Sequence, residues 1–220
     1  MSLKLVINTA VDPFGFSLER NGLCLVSIKQ SSNRAFSESL VSLVDQYCRL
    51  NNVTLKDINC IGVVNGPGSY TGIRIGVSYA KTLALSLGCS VIGISSTEAL
   101  AHQLVCYPNV FGLVLSAKPN YVYFQLFNSV NDVMPISDLL LLTYDDCKEM
   151  LTSFHSDITI FISSKKSIFS DFSNSFVTFC DIDIDCSKLF SLLDKKSEEG
   201  NIGSYQHVFP NYMSQPKIGA

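Results

Sequence analysis

Charge is scarce in this sequence. Lys, Arg, Asp and Glu make up 16% of its 220 residues and leave a net charge of −3, where an average soluble domain has about a quarter of its residues charged. Without a basic excess, a protein that grips nucleic acid through its own field is excluded, because neutralising phosphates takes clustered Lys and Arg. Tryptophan is absent and histidine occurs three times. His155 and His207 have no second ligand close by in the sequence, so no metal site is expected. None of the eight cysteines forms a C-x-x-C pair, the spacing of zinc and thiol-redox sites. Most are therefore expected to be buried, reduced thiols of a cytoplasmic protein. No apolar run reaches the roughly 20 residues of a membrane-spanning helix. The longest uncharged stretches, 82–97 and 99–117, are split by Glu98 and carry Gly88, Gly93, Pro108 and Asn109. The N-terminus lacks a basic start followed by an apolar run, so no secretory leader is expected.

Hydrophobic residues, in contrast, make up 47% of the chain, which excludes disorder. A chain of this length buries roughly 70% of its unfolded surface, as one large domain or two small lobes. The apolar excess points to a surface covered by another protein chain.

Residues 3–10, 14–20 and 23–30 read as three strands. The last two flank Asn21-Gly22, the pair that a type I′ hairpin turn favours. A helix over 37–50 follows, with Leu40, Val41, Leu43, Val44, Tyr47 and Cys48 at helical spacing. Next come a buried strand at 60–64, a glycine loop, a helix over 72–87 closed by Gly88, a strand at 91–95 and a helix over 97–105. Three antiparallel strands followed by α/β crossovers are the ribonuclease-H-like plan, with the later strands parallel. A looser copy follows: strands at 110–117, 121–127 and 139–142, a helix over 144–153 and a strand at 158–162. Residues 163–175 read as irregular, and 189–196 as a short helix. The expected class is thus α/β, actin-like (ASKHA), with two ribonuclease-H-like lobes over 1–105 and 106–220.

The loop Asn65-Gly66-Pro67-Gly68-Ser69-Tyr70-Thr71-Gly72 runs from a buried strand into a helix. Free N–H groups at a helix start attract anions. Gly66 and Gly68 would allow close approach, and Ser69 or Thr71 could cap the helix. Gly66, Gly68, Ser69, Tyr70 and Thr71 are therefore candidates for a phosphate or carboxylate contact. The other reading is a tight turn whose glycines serve geometry alone. It is not a P-loop, because Ile73 stands where that motif has Lys. The helix that follows is apolar over roughly 200°, where one sheet needs about 100°. Gly72, Ile75, Gly76, Tyr79 and Leu83 form the surplus face, with Leu43 and Tyr47 of the preceding helix expected alongside. That face is either buried between lobes or a helix-on-helix subunit contact.

Residues 66–76, G-P-G-S-Y-T-G-I-R-I-G, with Lys81 to Ala84 and Gly93 to Ser96, resemble the TsaB (YeaZ) family. The likeness covers residues 3–105 well and is weaker beyond, where Pro210-x-Tyr212-Met213 echoes a family tail. The resemblance implies an actin-like fold and a non-catalytic subunit. Such a subunit pairs through first-lobe helices with TsaD, which transfers a threonylcarbamoyl group to the adenosine 3′ of certain tRNA anticodons. The small ATPase TsaE joins the pair, and the family forms homodimers when alone. The chain departs from the family at Asn8, where Asp is usual, and at Phe36, Ser116, Lys118 and Ser214. Each change removes or weakens a polar functional group. No catalytic residue, resident cofactor or tight tRNA binding by the chain alone is expected; ATP is admitted only at the complex interface.

Two other classes compete. A free-standing nucleotide-hydrolysing or phosphotransfer enzyme of the actin/sugar-kinase superfamily would need carboxylates where Asn8 and Ser116 stand. A metallopeptidase would need paired His ligands, which His102 lacks. Asp181-x-Asp183-x-Asp185 opens like a calcium loop, but Cys186 replaces the required Gly and Leu192 the required Glu.

Overall fold

The computed structural model describes residues 2–31, 34–107, 109–130, 132–163, 169–200 and 205–212, with backbone alone for 34–37. Phe36's side chain, Met213 and Ser214 lie outside the described residues. Among the described residues two compact units emerge, one of residues 2–99 with Ile184–Tyr212, the other of Leu100–Asp183.

In the first unit, strands β1 (Leu3–Asn8), β2 (Phe14–Arg20), β3 (Leu23–Gln30), β4 (Ile58–Gly66) and β5 (Ser90–Ser95) form one sheet in the order β3-β2-β1-β4-β5. The first three pair antiparallel, while β1, β4 and β5 run parallel. Asn21 and Gly22 both take positive φ, as the hairpin turn requires. Helix α1 (Arg34–Leu50) buries Leu40, Val44 and Cys48, one residue per turn. Helix α2 (Tyr70–Leu87) starts at Ser69, whose hydroxyl accepts from the Gly72 N–H, and ends at Gly88 with φ 66. That left-handed cap costs glycine nothing. Helix α3 (Ser96–Ala101) is shorter than the expected 97–105, because the chain tightens into a 3-10 turn at His102–Leu104.

The second unit holds β6 (Val110–Ser116), β7 (Tyr121–Asn128), β8 (Met134–Pro135), β9 (Leu140–Thr143), β10 (Ile158–Ser163) and β11 (Val177–Asp181), in the order β11-β10-β6-β7-β8 with β9 also on β7. Helix α4 (Tyr144–Thr152) covers it through Cys147 and Leu151, which join Val114, Val122, Phe124 and Ile160 in one core. Strand β11 is not expected from the residues: its edge position leaves it half-buried and weakly patterned.

The division at residue 105 needs one correction. Ile184–Tyr212 returns to the first unit. Helix α5 (Phe190–Glu198) lays Leu193 over Gly62 of β4, and the Lys4 ammonium bridges Glu19 at 3.0 Å and Asp194 at 2.6 Å. Glu98 meets Lys196 at 2.9 Å. Phe190 and Leu193 are buried, each contributing about 2 kcal/mol by leaving water. Only Cys48, Cys147 and Cys186 of the eight free cysteines are buried, and Cys24 and Cys106 are exposed. Among the described residues, no helix is long and apolar enough to cross a membrane.

Candidate functional site

The glycine loop lies between two pieces of its own chain. On one side is the turn after β1. The Ser69 N–H donates to the Ala10 carbonyl at 2.8 Å, and the Thr9 hydroxyl donates to the Gly72 carbonyl at 2.7 Å. A Cβ on Gly68 would overlap the Ala10 carbonyl, one on Gly72 the Thr9 carbonyl, and one on Gly76 the Thr9 hydroxyl. On the other side is the C-terminal segment. The Asn211 N–H donates to the Asn65 carbonyl at 2.7 Å, and the Asn65 amide donates to the Phe209 carbonyl at 3.0 Å. Gly66 holds φ 112, and a Cβ there would sit 2.6 Å from the Asn211 carbonyl.

Asn8, at the end of β1, is fully buried. Its amide nitrogen donates to the carbonyls of Val11 at 2.8 Å and Pro13 at 2.9 Å. Its oxygen accepts from the N–H groups of Ala10 and Val11 at 3.1 Å each. Both donors and both lone pairs are thereby used. Asn8 does not suit a magnesium ion: its amide is neutral and already committed to the loop, and a hard cation needs charged or free oxygens. Among the described residues, no group of three or more His, Cys, Asp or Glu is placed to hold a metal.

Of the expected anion contacts, Gly66 and Gly68 pack against the chain's own backbone, while Ser69, Tyr70 and Thr71 are exposed, Ser69 with its N–H given to the Ala10 carbonyl and its hydroxyl accepting from the Gly72 N–H. The glycines serve close packing of main chain on main chain. The surplus face of α2 is corrected in the same way. Gly72, Gly76 and Leu83 are buried within the unit, the two glycines against Thr9. Ile75 and Tyr79 of α2, with Leu43 and Tyr47 of α1, are half-buried. The Tyr47 ring meets Phe16 edge-on at 5.9 Å. The Tyr79 hydroxyl is buried without a hydrogen-bond partner among the described residues, and burial pushes its pKa up to about 12. Asp185 caps the turn at Ser187, accepting from its N–H at 2.9 Å and its hydroxyl at 2.6 Å; it builds a turn in place of a calcium loop. Asn65, Phe209 and Asn211 are site residues that the sequence does not single out. Their roles rest on main-chain carbonyls and N–H groups across a long sequence separation, and the tail motif at Pro210 and Tyr212 is the one signal pointing there.

Three antiparallel strands, two parallel crossovers and a second mixed sheet define an actin-like α/β protein of two ribonuclease-H-like lobes. A sequence model of the family described as "TsaD: tRNA N6-adenosine threonylcarbamoyltransferase" matches residues 27–183. The chain belongs to this family, and within it to the TsaB (YeaZ) group. It is 30% identical over 130 residues to the tRNA threonylcarbamoyladenosine biosynthesis protein TsaB of Bacillus subtilis, covering 59% of this chain and 57% of that one. It is 31% identical over 143 residues to the tRNA N6-adenosine threonylcarbamoyltransferase of Lawsonia intracellularis, covering 55% and 39%. The chain thus spans about half the length of the curated relatives it matches. YeaZ from Pseudomonas aeruginosa superposes with a TM-score of 0.81 over 97% of this chain and 100% of that one, at 17% identity, which establishes the shared fold.

Proposed function

We propose that this protein is a non-catalytic subunit in the synthesis of threonylcarbamoyladenosine in tRNA, acting by pairing with the transferase TsaD, with TsaE as a further member of the assembly. Asn8 carries the non-catalytic half of the reading. Where a metal-binding carboxylate would stand, its neutral amide spends every hydrogen bond on closing the turn after β1. A free-standing nucleotide hydrolase would need that carboxylate, because metal-assisted phosphoryl transfer depends on an ion held in place.

Family membership and the faces of α1 and α2 support the partner half. Leu43, Tyr47, Ile75 and Tyr79 are half-buried in the isolated chain, and among the described residues the buried Tyr79 hydroxyl has no hydrogen-bond partner, which a buried polar group needs. Covering these residues with a second pair of helices gains apolar burial at about 25 cal/mol per Å². In the absence of TsaD the same face serves a homodimer. The test is co-purification of the tagged chain with TsaD from its own cell. The expected result is a stoichiometric complex that Ile75→Asp abolishes while the variant's melting temperature holds. A chain that elutes free of TsaD under native expression overturns the reading.

A further inference from the structure

A second surface lies on the opposite side of α2. At about 100° per residue, Tyr70, Arg74, Lys81 and Leu85 fall within about 60° of one another, roughly opposite Gly72 and Gly76. Tyr70 is 59% exposed and Leu85 58%. The C-terminal segment adds Phe209, 62% exposed, and Tyr212, 44% exposed. The helix and the C-terminal segment meet at two places along this side, Tyr70 with Tyr212 and Lys81 with Phe209. Tyr70 and Tyr212 have ring centroids 4.9 Å apart. The Arg74 guanidinium lies 5.5 Å from the Tyr70 ring centroid and donates to its hydroxyl at 3.3 Å. The Lys81 ammonium sits 4.8 Å from the Phe209 centroid.

Two features set this strip apart from an ordinary solvated face. Large apolar side chains are exposed together, which in soluble proteins marks a contact surface. And among the described residues neither cation has a carboxylate partner; α2 and 205–212 contain no Asp or Glu at all. Each cation is held over a ring, so part of the side-chain ordering cost of binding is already met.

We propose that this strip docks an acidic segment of another protein, with carboxylates on Arg74 and Lys81 and apolar side chains on Leu85 and the ring edges of Tyr70, Phe209 and Tyr212. A second copy of the chain fits poorly, because a two-fold contact sets the same two cations against themselves. RNA fits poorly too. Two cations on a chain of net charge −3 give little counterion release, and each of Tyr70 and Phe209 already has a cation over its ring.

The test replaces Leu85 with photoreactive benzoylphenylalanine in the full chain, in its own cell. The expected product is a cross-link to another protein, at a segment with Asp or Glu within a turn of the attachment point. The yield should fall at least about tenfold in Arg74→Glu,Lys81→Glu and recover when the partner's carboxylates are changed to Lys. Should the double Glu variant fail to fold, Arg74→Gln,Lys81→Gln reads the same loss at smaller size. Cross-links to RNA, to a second copy or to a segment without carboxylates overturn the proposal. So do an absent cross-link and a yield indifferent to charge.

Discussion

The Thr9 hydroxyl donates to the Gly72 carbonyl across 2.7 Å, and this contact decides what the glycines of α2 are for. The helix lies so close to the end of β1 that a methyl group on Gly72 or Gly76 would overlap Thr9. Gly72→Ala meets backbone, which has little room to move, and should cost about 3 kcal/mol or more. A urea unfolding series reads this as a lowered midpoint at unchanged slope. Gly76→Leu should also destabilise the monomer. A helix face open to a partner would instead predict a gain, since glycine inside a helix costs up to about 1 kcal/mol.

Asn8→Asp should destabilise the chain by about 3 kcal/mol and create no ATPase. The variant loses both donated hydrogen bonds and aims a buried carboxylate at the carbonyls of Val11 and Pro13, and a buried unpaired acceptor costs more when it carries charge. Thermal denaturation with and without magnesium ATP checks both parts. Magnesium ATP raising the melting temperature, together with phosphate release near 1 s⁻¹, would return the loop to nucleotide chemistry.

Deleting Tyr205 onward should loosen the glycine loop while the second unit keeps its protection. The hydrogen bonds Asn211 to Asn65 and Asn65 to Phe209 disappear with the segment. Amide hydrogen exchange is the readout. Faster exchange is expected over residues 62–72, with β6, β7 and β10 unchanged.

The Glu98–Lys196 pair supplies an acid-sensitive term. Burial works against the Glu98 charge, but the Lys196 ammonium and the Ser95 N–H and hydroxyl outweigh it and hold the pKa below its ordinary 4.5. The depressed folded value means that the stabilisation is complete above the unfolded value and fades as pH falls through the folded one. Glu98→Gln should therefore be less stable than the parent by up to about 1 kcal/mol near pH 6, with the gap closing toward about pH 3. Urea midpoints at the two pH values measure it.

The first unit is largely legible from the amino-acid sequence. Asn21-Gly22, the period of α1 and the cap at Gly88 each act locally, so the residues alone define them. The roles of Gly66, Gly72 and Gly76 are not legible, because what each glycine admits is set by main chain distant in sequence: Asn211 for the first, Thr9 for the other two. The return of Ile184–Tyr212 is hidden for the same reason. It rests on Lys4 reaching Asp194 and on Leu193 covering Gly62, pairings that no periodicity encodes. Strand β11 escapes because an edge strand needs little hydrophobic patterning.

The central claim, that this chain supports threonylcarbamoyladenosine synthesis as a partner subunit, is tested most directly by nucleoside mass spectrometry of tRNA from cells depleted of it. The account predicts a fall in threonylcarbamoyladenosine that the parent chain restores and Ile75→Asp does not. An unchanged level after depletion would contradict it.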